Sequence, residues 1–519
     1  MLDRETLTSF TLGLALVGTA LLTLDLVLHR RGAAHRLRRT RDAGLAVVGL
    51  LCAARWWAPL WLPSPEPAHA LQGLNLSDAF HYYMGPKYFE ELGYTKLYVC
   101  SAAAEVERGG GAAVAKRVYR DLETNRPVPG QRVLAEARSC RERFRPDTWQ
   151  VFVHDVHWFR QRLPWETTLQ DWGYNATPVW NTAGALLAGS GPVTERQLVW
   201  LARLDTALLL ACAALIAWAF GWRTLCVVSI FWGTNPANVH GWTGGSILRQ
   251  EWLLASVAGV CLLRKQLPLA AGAAITYAAT LTIFPGFLAV GIGLQAIAGW
   301  IEARRISFSP TQRRLLLGAA LTLAVVLPAA LPSGGTPAAW ASFVANSRID
   351  SAPSPNNMGL PALLAYDRAQ RLRIFELGDA PSASEVWREA RERTLAWRRP
   401  LQVVLVAGFL ALAFGAARRQ PEWVAALLGL GFVVLAFELS CYYYAFLLLF
   451  GLLWPRQRSL GIALCGIAAT SLWLAERWPD PEDLFAWLSL LAVVYVAAVA
   501  AVLRFARSEG GAAASRGGP

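Results

Sequence analysis

The amino-acid sequence predicts an all-α polytopic membrane protein, a helical bundle of about thirteen spans with one large mixed external loop. Hydrophobic residues make up 55% of the 519 residues, and the mean hydropathy of +0.33 is well above that of ordinary soluble domains. Apolar runs of about 17–25 residues, the length that crosses a bilayer as a helix, recur along the chain. Basic residues crowd the short connections between these runs, which is typical of cytoplasmic loops.

The charge of the connections orients the spans. His29–Asp42 carries six Arg and one Asp, whereas residues 64–196 balance fifteen basic against fifteen acidic residues. Short basic loops stay cytoplasmic, so we expect the N-terminus outside and the C-terminus in the cytoplasm. Forty-five Arg against four Lys indicate a GC-rich bacterial source, and hence a multi-pass protein of the bacterial inner (cell) membrane. The expected spans are 9–28, 43–63, 197–219, 223–238, 249–263, 267–283, 285–301, 313–332, 401–417, 423–439, 441–454, 459–475 and 485–503.

The spans divide the chain into six segments. Two large external regions stand out, and within them we expect a soluble helix near 112–122 and an amphipathic, surface-lying helix over 382–399. The segments are two N-terminal spans (1–63), a large periplasmic loop region with the candidate active site (64–196), a transmembrane bundle (197–332), a second external region (333–400), a C-terminal bundle (401–507) and a disordered tail (508–519).

Composition and motifs exclude several functional classes. The net charge of +13 is spread over short loops, with no basic face interleaved with aromatic residues, so nucleic acid is a poor partner. No P-loop, dinucleotide fingerprint, Gly-x-Ser-x-Gly or HExxH motif is present. Cys100 and Cys140 lie in the large external loop, where an oxidising compartment would allow them to pair; the sequence leaves both outcomes open.

Asp78 is the first catalytic candidate, because it stands just after a hydrophobic span at the start of the longest polar segment. An ionisable residue at the membrane boundary is costly unless it is paired or used. A carboxylate there can take a proton from an acceptor hydroxyl as a general base. The alternative is an N-cap, in which Ser77 or Asp78 precedes a helix over 79–92 and accepts free backbone amides. The two roles are compatible.

The residues after Asp78 carry a family resemblance. Asp78, Tyr82–Tyr83, Gly93 and Leu97–Tyr98 form the pattern D-x-x-x-Y-Y…G-x-x-x-L-Y. This pattern resembles the first-loop signature of GT-C membrane glycosyltransferases, especially the polyprenyl-phosphate-mannose-dependent mannosyltransferases. The resemblance implies a GT-C-like helical bundle, a catalytic acid in this loop and a sugar donor on polyprenyl phosphate. His81, Tyr82 and Tyr83 are then expected to contact substrate.

Asp171 is the second catalytic candidate, within the polar and aromatic stretch Q-D-W-G-Y-N-A-T-P-V-W-N (170–181). Trp172 and Tyr174 offer aromatic faces that suit sugar rings, and Asn175 offers hydrogen bonds to hydroxyl groups. The alternative is interfacial anchoring by Trp and Tyr, which membrane proteins need in any case.

His154 and His157 are the only residues with a metal-like spacing. On a helix the i, i+3 spacing places both imidazoles on one face, where His81 could join, whereas a strand would place them on opposite faces. The alternative is a hydrogen-bonded or solvated pair. Without supporting Cys or Glu this is a weak zinc signature. We therefore expect no metal and no cofactor, with a divalent cation as an alternative.

Further substrate-binding candidates stand near the external ends of later spans. Arg249 and Arg348 could contact a donor phosphate, because Arg provides bidentate contacts to oxyanions. The alternative for Arg249 is pairing with Glu251 or snorkelling. The remaining candidates are His240, near Arg249, Asn357, in a loop similar to the Asn-rich late loop of some mannosyltransferases, and Glu438 and Tyr443, at a span end beside three consecutive Tyr.

These patterns together predict an inverting hexosyltransferase of GT-C type. It would move a sugar from a polyprenyl-phosphate donor to a hydroxyl of an external glycan, lipid or protein acceptor, with the lipid bilayer as its other partner. Two alternatives remain: a transporter or flippase for a lipid-linked or envelope precursor, and a non-catalytic membrane assembly factor. A transporter should carry buried charges in mid-span or inverted repeats, neither of which the sequence displays clearly.

Overall fold

The computed structural model describes residues 4–33, 35, 37–61, 73–350, 352–377 and 383–505. These residues are almost entirely helical, and their only sheets are two short antiparallel pairs. Among the described residues, seven helices are long and apolar enough to cross a membrane, by length and composition. They are Thr6–Arg30, Glu195–Phe220, Phe284–Ala303, Pro310–Ser333, Ala383–Ala417, Arg458–Arg477 and Pro481–Phe505. The expected all-α, membrane-type architecture is therefore present.

The expected count of thirteen spans stays a prediction. Several of the apolar stretches form helices of only 13–15 residues, shorter than the length that crosses a bilayer. The disordered tail expected over 508–519 lies outside the described residues.

The N-terminal hairpin consists of α1 (Arg4–Arg30) and α2 (Arg38–Trp61). Asp25 on α1 is bonded to Arg41 on α2 at 2.8 Å and to Arg458 near the C-terminus at 3.0 Å. A carboxylate among apolar helices needs partners of this kind, and the pair with Arg458 ties the N-terminal hairpin to the C-terminal part of the fold.

The first large region is a packed unit of short helices and one hairpin. It contains α3 (Leu76–Lys87), α4 (Phe89–Leu92), α5 (Leu97–Glu107), α6 (Gly111–Lys116), β1 (Val118–Asp121), β2 (Arg126–Pro129), α7 (Gly130–Ala137), a 3-10 turn (Arg141–Arg143), α8 (Pro146–Arg160), α9 (Trp165–Thr168) and α10 (Pro178–Ala188). The helix expected over 112–122 is wrong in its second half. It ends at Lys116, and residues 118–121 pair with 126–129 because Val118 and Tyr119 favour a strand.

Buried charges and one disulfide hold this region together. Glu105 is fully buried and accepts hydrogen bonds from Arg117 at 2.8 Å and from the Trp165 indole at 2.7 Å. Cys100 and Cys140 are disulfide-bonded across 40 residues of chain. These cross-links make the region a fixed support for the polar residues that it carries.

The central bundle follows as α11 (Glu195–Phe220), α12 (Trp222–Thr234), a 3-10 turn (Pro236–Asn238), α13 (His240–Thr243), α14 (Glu251–Arg264), α15 (Pro268–Leu281), a 3-10 turn (Phe284–Gly286), α16 (Phe287–Ala303) and α17 (Pro310–Ala330), which a 3-10 turn (Leu331–Ser333) ends. Consecutive helices pack on one another, as α14 does on α15 and α15 on α17. α12 packs on α2, which places the N-terminal hairpin against this bundle.

The second large region and the C-terminal bundle complete the fold. They comprise α18 (Pro337–Asp350), β3 (Asn357–Met358), α19 (Leu360–Ala365), a 3-10 turn (Arg368–Gln370), α20 (Leu372–Leu377), α21 (Ala383–Ala417), α22 (Glu422–Ala436), β4 (Leu439–Ser440), a 3-10 helix (Cys441–Leu453), α23 (Arg458–Arg477) and α24 (Pro481–Phe505). The expected amphipathic helix and the span after it form one helix, α21, with Pro400 inside. β3 pairs with β4, which brings Asn357 opposite Ser440.

Candidate functional site

A polar cavity of about 430 Å³ lies where five segments of the chain meet. The segments are the start of α3, the loop 171–175, the turn 241–249, the loop 352–357 and the β4 edge at 440–442. The lining side chains include two carboxylates, one guanidinium, several amides and hydroxyls, and four aromatic rings. They are Asn75, Asp78, His81, Tyr82, Asp171, Trp172, Asn175, Trp242, Arg249, Ser354, Asn356, Asn357, Ser440 and Tyr442.

Asp78 projects from the first turn of α3 into this cavity, and its side chain is 22% exposed. The alternative considered from the sequence, that Ser77 or Asp78 caps the helix, is wrong, because the cap is Asn75. The Asn75 Oδ1 accepts the backbone N–H of Asp78 at 3.2 Å, and the helix begins at Leu76. The carboxylate of Asp78 is thus free of capping and available for other contacts.

Arg249 is the ion-pair partner of Asp78. Its guanidinium lies 4.7 Å from the centre of the Tyr442 ring, and its side chain is 17% exposed. Pairing with Glu251, the alternative considered from the sequence, does not occur, since Glu251 accepts a hydrogen bond from Tyr277. Arg249 is therefore the cation of the cavity, held between a carboxylate and an aromatic face.

The turn that carries Arg249 is fixed by a buried acid. Asp205 on α11 is 1% exposed, and its Oδ1 accepts the backbone N–H of Gln250 at 3.1 Å. Gly245 and Leu248 adopt positive φ values of 73° and 51°, which bend the backbone around this carboxylate. The Asn75 backbone N–H donates to the Gly245 carbonyl at 2.7 Å. The turn is thus tied to both α11 and the start of α3.

Asp171, the second catalytic candidate, lies across the cavity near His81. Its carboxylate is 4.0 Å from the His81 Nδ1 and is 47% exposed, whereas His81 is buried and hydrogen-bonded to the Tyr98 hydroxyl at 2.7 Å. Burial lowers the pKa of His81, against the opposing effect of the Asp171 charge. His81 is therefore neutral near pH 7, and among the described residues the Asp171 carboxylate lines the cavity without a strong cationic partner.

Tyr82 and Asn175 form the wall opposite Arg249. The Tyr82 hydroxyl donates to the Asn175 Oδ1 at 2.6 Å. Trp172 lies at the rim, where the guanidinium groups of Arg120 and Arg388 are 5.1 Å and 5.3 Å from its ring centre. Because these arginines belong to the first and the second large region of the fold, Trp172 contacts both regions.

The polar cavity borders an apolar groove, with which it shares lining residues. A neck of about 80 Å³ shares Tyr82, Asn175, Arg249 and Tyr442 with the cavity. It leads to a groove of about 290 Å³, which also contains Asn175 and Tyr442. The groove walls are mainly apolar and include Leu281, Ile283, Phe284, Phe287, Phe343, Phe437 and Tyr443. Phe284 and Phe287 begin a candidate membrane span, so an apolar path joins Arg249 to the membrane helices.

Asn357 lines both the polar cavity and the groove, and Glu438 lines the groove. The Glu438 Oε1 accepts hydrogen bonds from the Arg391 guanidinium at 2.9 Å and from the Asn357 Nδ2 at 3.2 Å. Arg391 is buried on α21. These contacts neutralise Glu438 and connect the amphipathic part of α21 to the site.

Four of the residues predicted to bind substrate lie outside these cavity linings. Tyr83 is fully buried and donates to Gln197 at 3.0 Å, and Tyr174 is buried with its hydroxyl bonded to Asn181 at 3.0 Å. His240 is buried against the Trp56 ring, with ring centres 4.9 Å apart. Arg348 is exposed on α18. The first three serve packing, and none of the four lines the cavity, the neck or the groove.

His154 and His157 do lie on one helix, α8, as the metal hypothesis required. His154 is bonded to Asp155 at 3.2 Å and His157 is buried, while His81 belongs to the cavity wall. Within the described residues no group of three His, Cys, Asp or Glu side chains is arranged to hold a metal ion.

Sequence reasoning missed Asn75, Tyr442 and Asp205. The capping role of Asn75 could have been found from the sequence. Asn is a preferred N-cap residue, and Asp78 stands three residues later, where an N-cap side chain accepts a backbone N–H. Tyr442 belongs to the Tyr triplet, but nothing in the sequence ranks it above Tyr443. Asp205 is an acid within the apolar part of α11, which is itself a recognised functional signal. No family model, curated protein or solved structure matches this chain.

Proposed function

We propose that the protein is an integral-membrane glycosyltransferase of the inverting type. It moves a hexosyl group from a polyprenyl-phosphate donor to a hydroxyl of an external acceptor. The observation that carries this proposal is the Asp78–Arg249 ion pair at the junction of a polar cavity and an apolar groove. The parts of a lipid-linked sugar follow the order of polar cavity, Arg249 and apolar groove, because a polar sugar is joined through an anionic phosphate to an apolar chain.

Arg249 is the residue proposed to hold the donor phosphate. Guanidinium groups form short, bidentate hydrogen bonds to phosphate oxygens. The polyprenyl chain would then follow the neck past Tyr442 into the groove lined by Phe284, Phe287 and Phe437. With the donor held in this way, the Arg249 guanidinium stabilises the negative charge that develops on the phosphate as it leaves.

Asp78 is proposed as the general base. The acceptor oxygen attacks the anomeric carbon, its proton passes to the Asp78 carboxylate, and the bond from the anomeric carbon to the phosphate oxygen breaks. The electron pair of that bond leaves with polyprenyl phosphate. One displacement of this kind inverts the anomeric centre.

The ion pair itself is part of this proposal. While Arg249 is bonded to Asp78, the carboxylate is a weaker base, because a neighbouring cation favours its ionised form. A donor phosphate competes with Asp78 for the same guanidinium. Binding of the donor would therefore release Asp78 toward the acceptor, so that the base becomes active only when a donor is present.

The acceptor is proposed to occupy the polar cavity. Asp171 and Asn357 offer hydrogen bonds to sugar hydroxyls, and Trp172 and Trp242 offer aromatic surfaces at its edge. Apart from the paired Arg249, no cation lines this cavity among the described residues. The lining therefore favours a neutral, hydroxyl-rich acceptor over an anionic one.

Purified protein in nanodiscs, incubated with a panel of polyprenyl-phosphate hexoses and neutral glycan acceptors, tests the proposal. Wild-type protein should transfer the sugar and Asp78→Asn should not, although both bind the donor. Movement of intact donor across vesicle membranes without transfer would contradict the enzyme and favour the flippase alternative. Absence of both binding and turnover across the panel would contradict the proposal.

A further inference from the structure

A second group of cations lies at the far end of the helices that frame the cavity. α14 begins at Glu251, two residues after Arg249, and its 14 residues end at Arg264, a length of about 20 Å at 1.5 Å per residue. α22 runs in the opposite sense, from Glu422 to Ala436, close to Glu438 of the groove. Arg264 and the start of α22 are therefore separated from the cavity by most of the thickness of a bilayer.

Two arginines converge at this end. The Arg264 guanidinium lies 5.6 Å from the ring centre of Trp423 and 5.9 Å from that of Phe220. The Arg456 Nε donates to the Gln420 Oε1 at 2.8 Å. Gln420 and Trp423 flank the beginning of α22, so both guanidinium groups gather there. Burial and, secondarily, the charge of Arg264 lower the pKa of Arg456.

The arginine pair, Arg264 and Arg456, has no carboxylate counter-ion across the described ranges, and Glu422 at the start of α22 pairs with neither guanidinium. Arg264 is exposed and Arg456 is half-buried. Several other arginines do have carboxylate partners, for example Asp42 for Arg223 and Asp25 for Arg458. Two neighbouring cations without a carboxylate, one of them half-buried, form a site that an external anion would stabilise.

The surroundings indicate where that anion comes from. Trp218 and Trp222 are 49% and 43% exposed at the end of α11 and the start of α12. The Lys265 ammonium lies 4.9 Å from the Trp218 ring centre, so a third cation borders the pair. Exposed Trp beside Lys and Arg is typical of the headgroup level of a bilayer, where the available anions are phospholipid phosphates.

We propose that Arg264 and Arg456 bind the phosphate of an anionic phospholipid headgroup at the membrane face opposite the cavity. The two planar guanidinium groups provide forked donors to the phosphate oxygens. The exposed face of Trp218 provides the apolar contact for the upper acyl chain. This site does not depend on the proposed transferase activity.

The test is lipid binding by the full-length protein in mild detergent, measured by native mass spectrometry and by thermal unfolding. Phosphatidylglycerol should bind and raise Tm, while phosphatidylcholine should do neither. Arg264→Gln/Arg456→Gln should bind phosphatidylglycerol roughly tenfold more weakly or worse, because two cations near the headgroup are lost. Arg305→Gln/Arg314→Gln removes the same charge from two exposed arginines and should bind as wild type does.

Two further measurements, one with inorganic phosphate and one with a Lys variant, separate the possible outcomes. Inorganic phosphate at millimolar concentration should leave Tm unchanged, and an equal rise would overturn the lipid assignment in favour of a free-anion site. Arg264→Lys/Arg456→Lys keeps both charges and should retain an intermediate affinity, which also covers the case in which the Gln variant fails to fold. Equal phosphatidylglycerol binding by the Gln variant and its control would overturn the proposal.

Discussion

Asn75 caps the helix whose first turn presents Asp78. Its side-chain oxygen accepts the N–H of Asp78 at 3.2 Å, while its amide nitrogen donates to the Gly241 carbonyl at 3.1 Å. One side chain therefore positions the candidate base relative to the turn that carries Arg249. The two halves of the site are separated by more than 160 residues of chain, and Asn75 is one of the few direct links between them.

Asn75→Ala should lower the free energy of unfolding by about 1 kcal/mol, the usual effect of losing an N-cap. It should also reduce sugar transfer, because the start of α3 is no longer held against residue 241. Asn75→Ser is the matched control, since Ser still caps the helix but cannot donate to the Gly241 carbonyl. Chemical denaturation and transfer assays of both variants check this. Full activity in both would show that the link does not position Asp78.

Asp78→Asn should bind polyprenyl phosphate more tightly than wild type does. The substitution removes the carboxylate that competes with phosphate for Arg249, and an ion pair of this kind contributes up to about 1 kcal/mol, or roughly fivefold in Kd. Arg249→Gln should weaken binding, and Asp171→Asn should leave it unchanged. Titration of polyprenyl phosphate in nanodiscs measures all three. Weaker binding in Asp78→Asn would contradict the proposed competition.

Acid should destabilise the protein through His240. Burial lowers the pKa of His240 from 6.5 to about 4, so the unfolded chain takes up a proton in this range while the folded chain does not. The free energy of unfolding therefore has its full value above pH 6.5. It falls by up to about 3 kcal/mol as the pH drops toward 4. Buried His81 acts in the same direction. His240→Gln should flatten the decline in Tm between pH 6.5 and 4; an unchanged slope would contradict this account.

The Cys100–Cys140 disulfide should stabilise the first large region of the fold. It closes a loop of 40 residues, for which removal typically costs about 2–4 kcal/mol. Cys100→Ser/Cys140→Ser should lower Tm, and a reductant should lower the Tm of wild type but not that of the double variant. Cys441→Ser, at a buried free cysteine, is the control and should keep its sensitivity to reductant. Equal responses in all three would mean that the bond does not stabilise the fold.

The sequence was sufficient to identify the residues on each side of the cavity but not their pairing. Asp78, Tyr82, Asp171, Asn175 and Arg249 were all expected from local patterns, and all line one cavity. The contact between Asp78 and Arg249 joins positions 171 residues apart, and periodicity, charge and motif spacing carry no information over that separation.

The burial of Tyr83 away from the cavity has a simple geometric cause. Tyr82 and Tyr83 are consecutive on a helix, where neighbours point about 100° apart, so only one of them can face the cavity. Tyr82 does so, and Tyr83 faces the core, where Gln197 binds its hydroxyl. The fold class followed from hydropathy, whereas the helix boundaries near residues 117 and 400 depend on tertiary packing, which local sequence patterns do not encode.

Sugar transfer by Asp78→Asn, compared with wild type and Asp171→Asn at equal levels of folded protein and saturating donor, tests the central claim most directly. The account predicts a fall in kcat of about a hundredfold or more for Asp78→Asn, the usual contribution of a general base, with a much smaller effect for Asp171→Asn. A kcat for Asp78→Asn within about threefold of wild type, or a larger fall in Asp171→Asn, would contradict the assignment of Asp78 as the base.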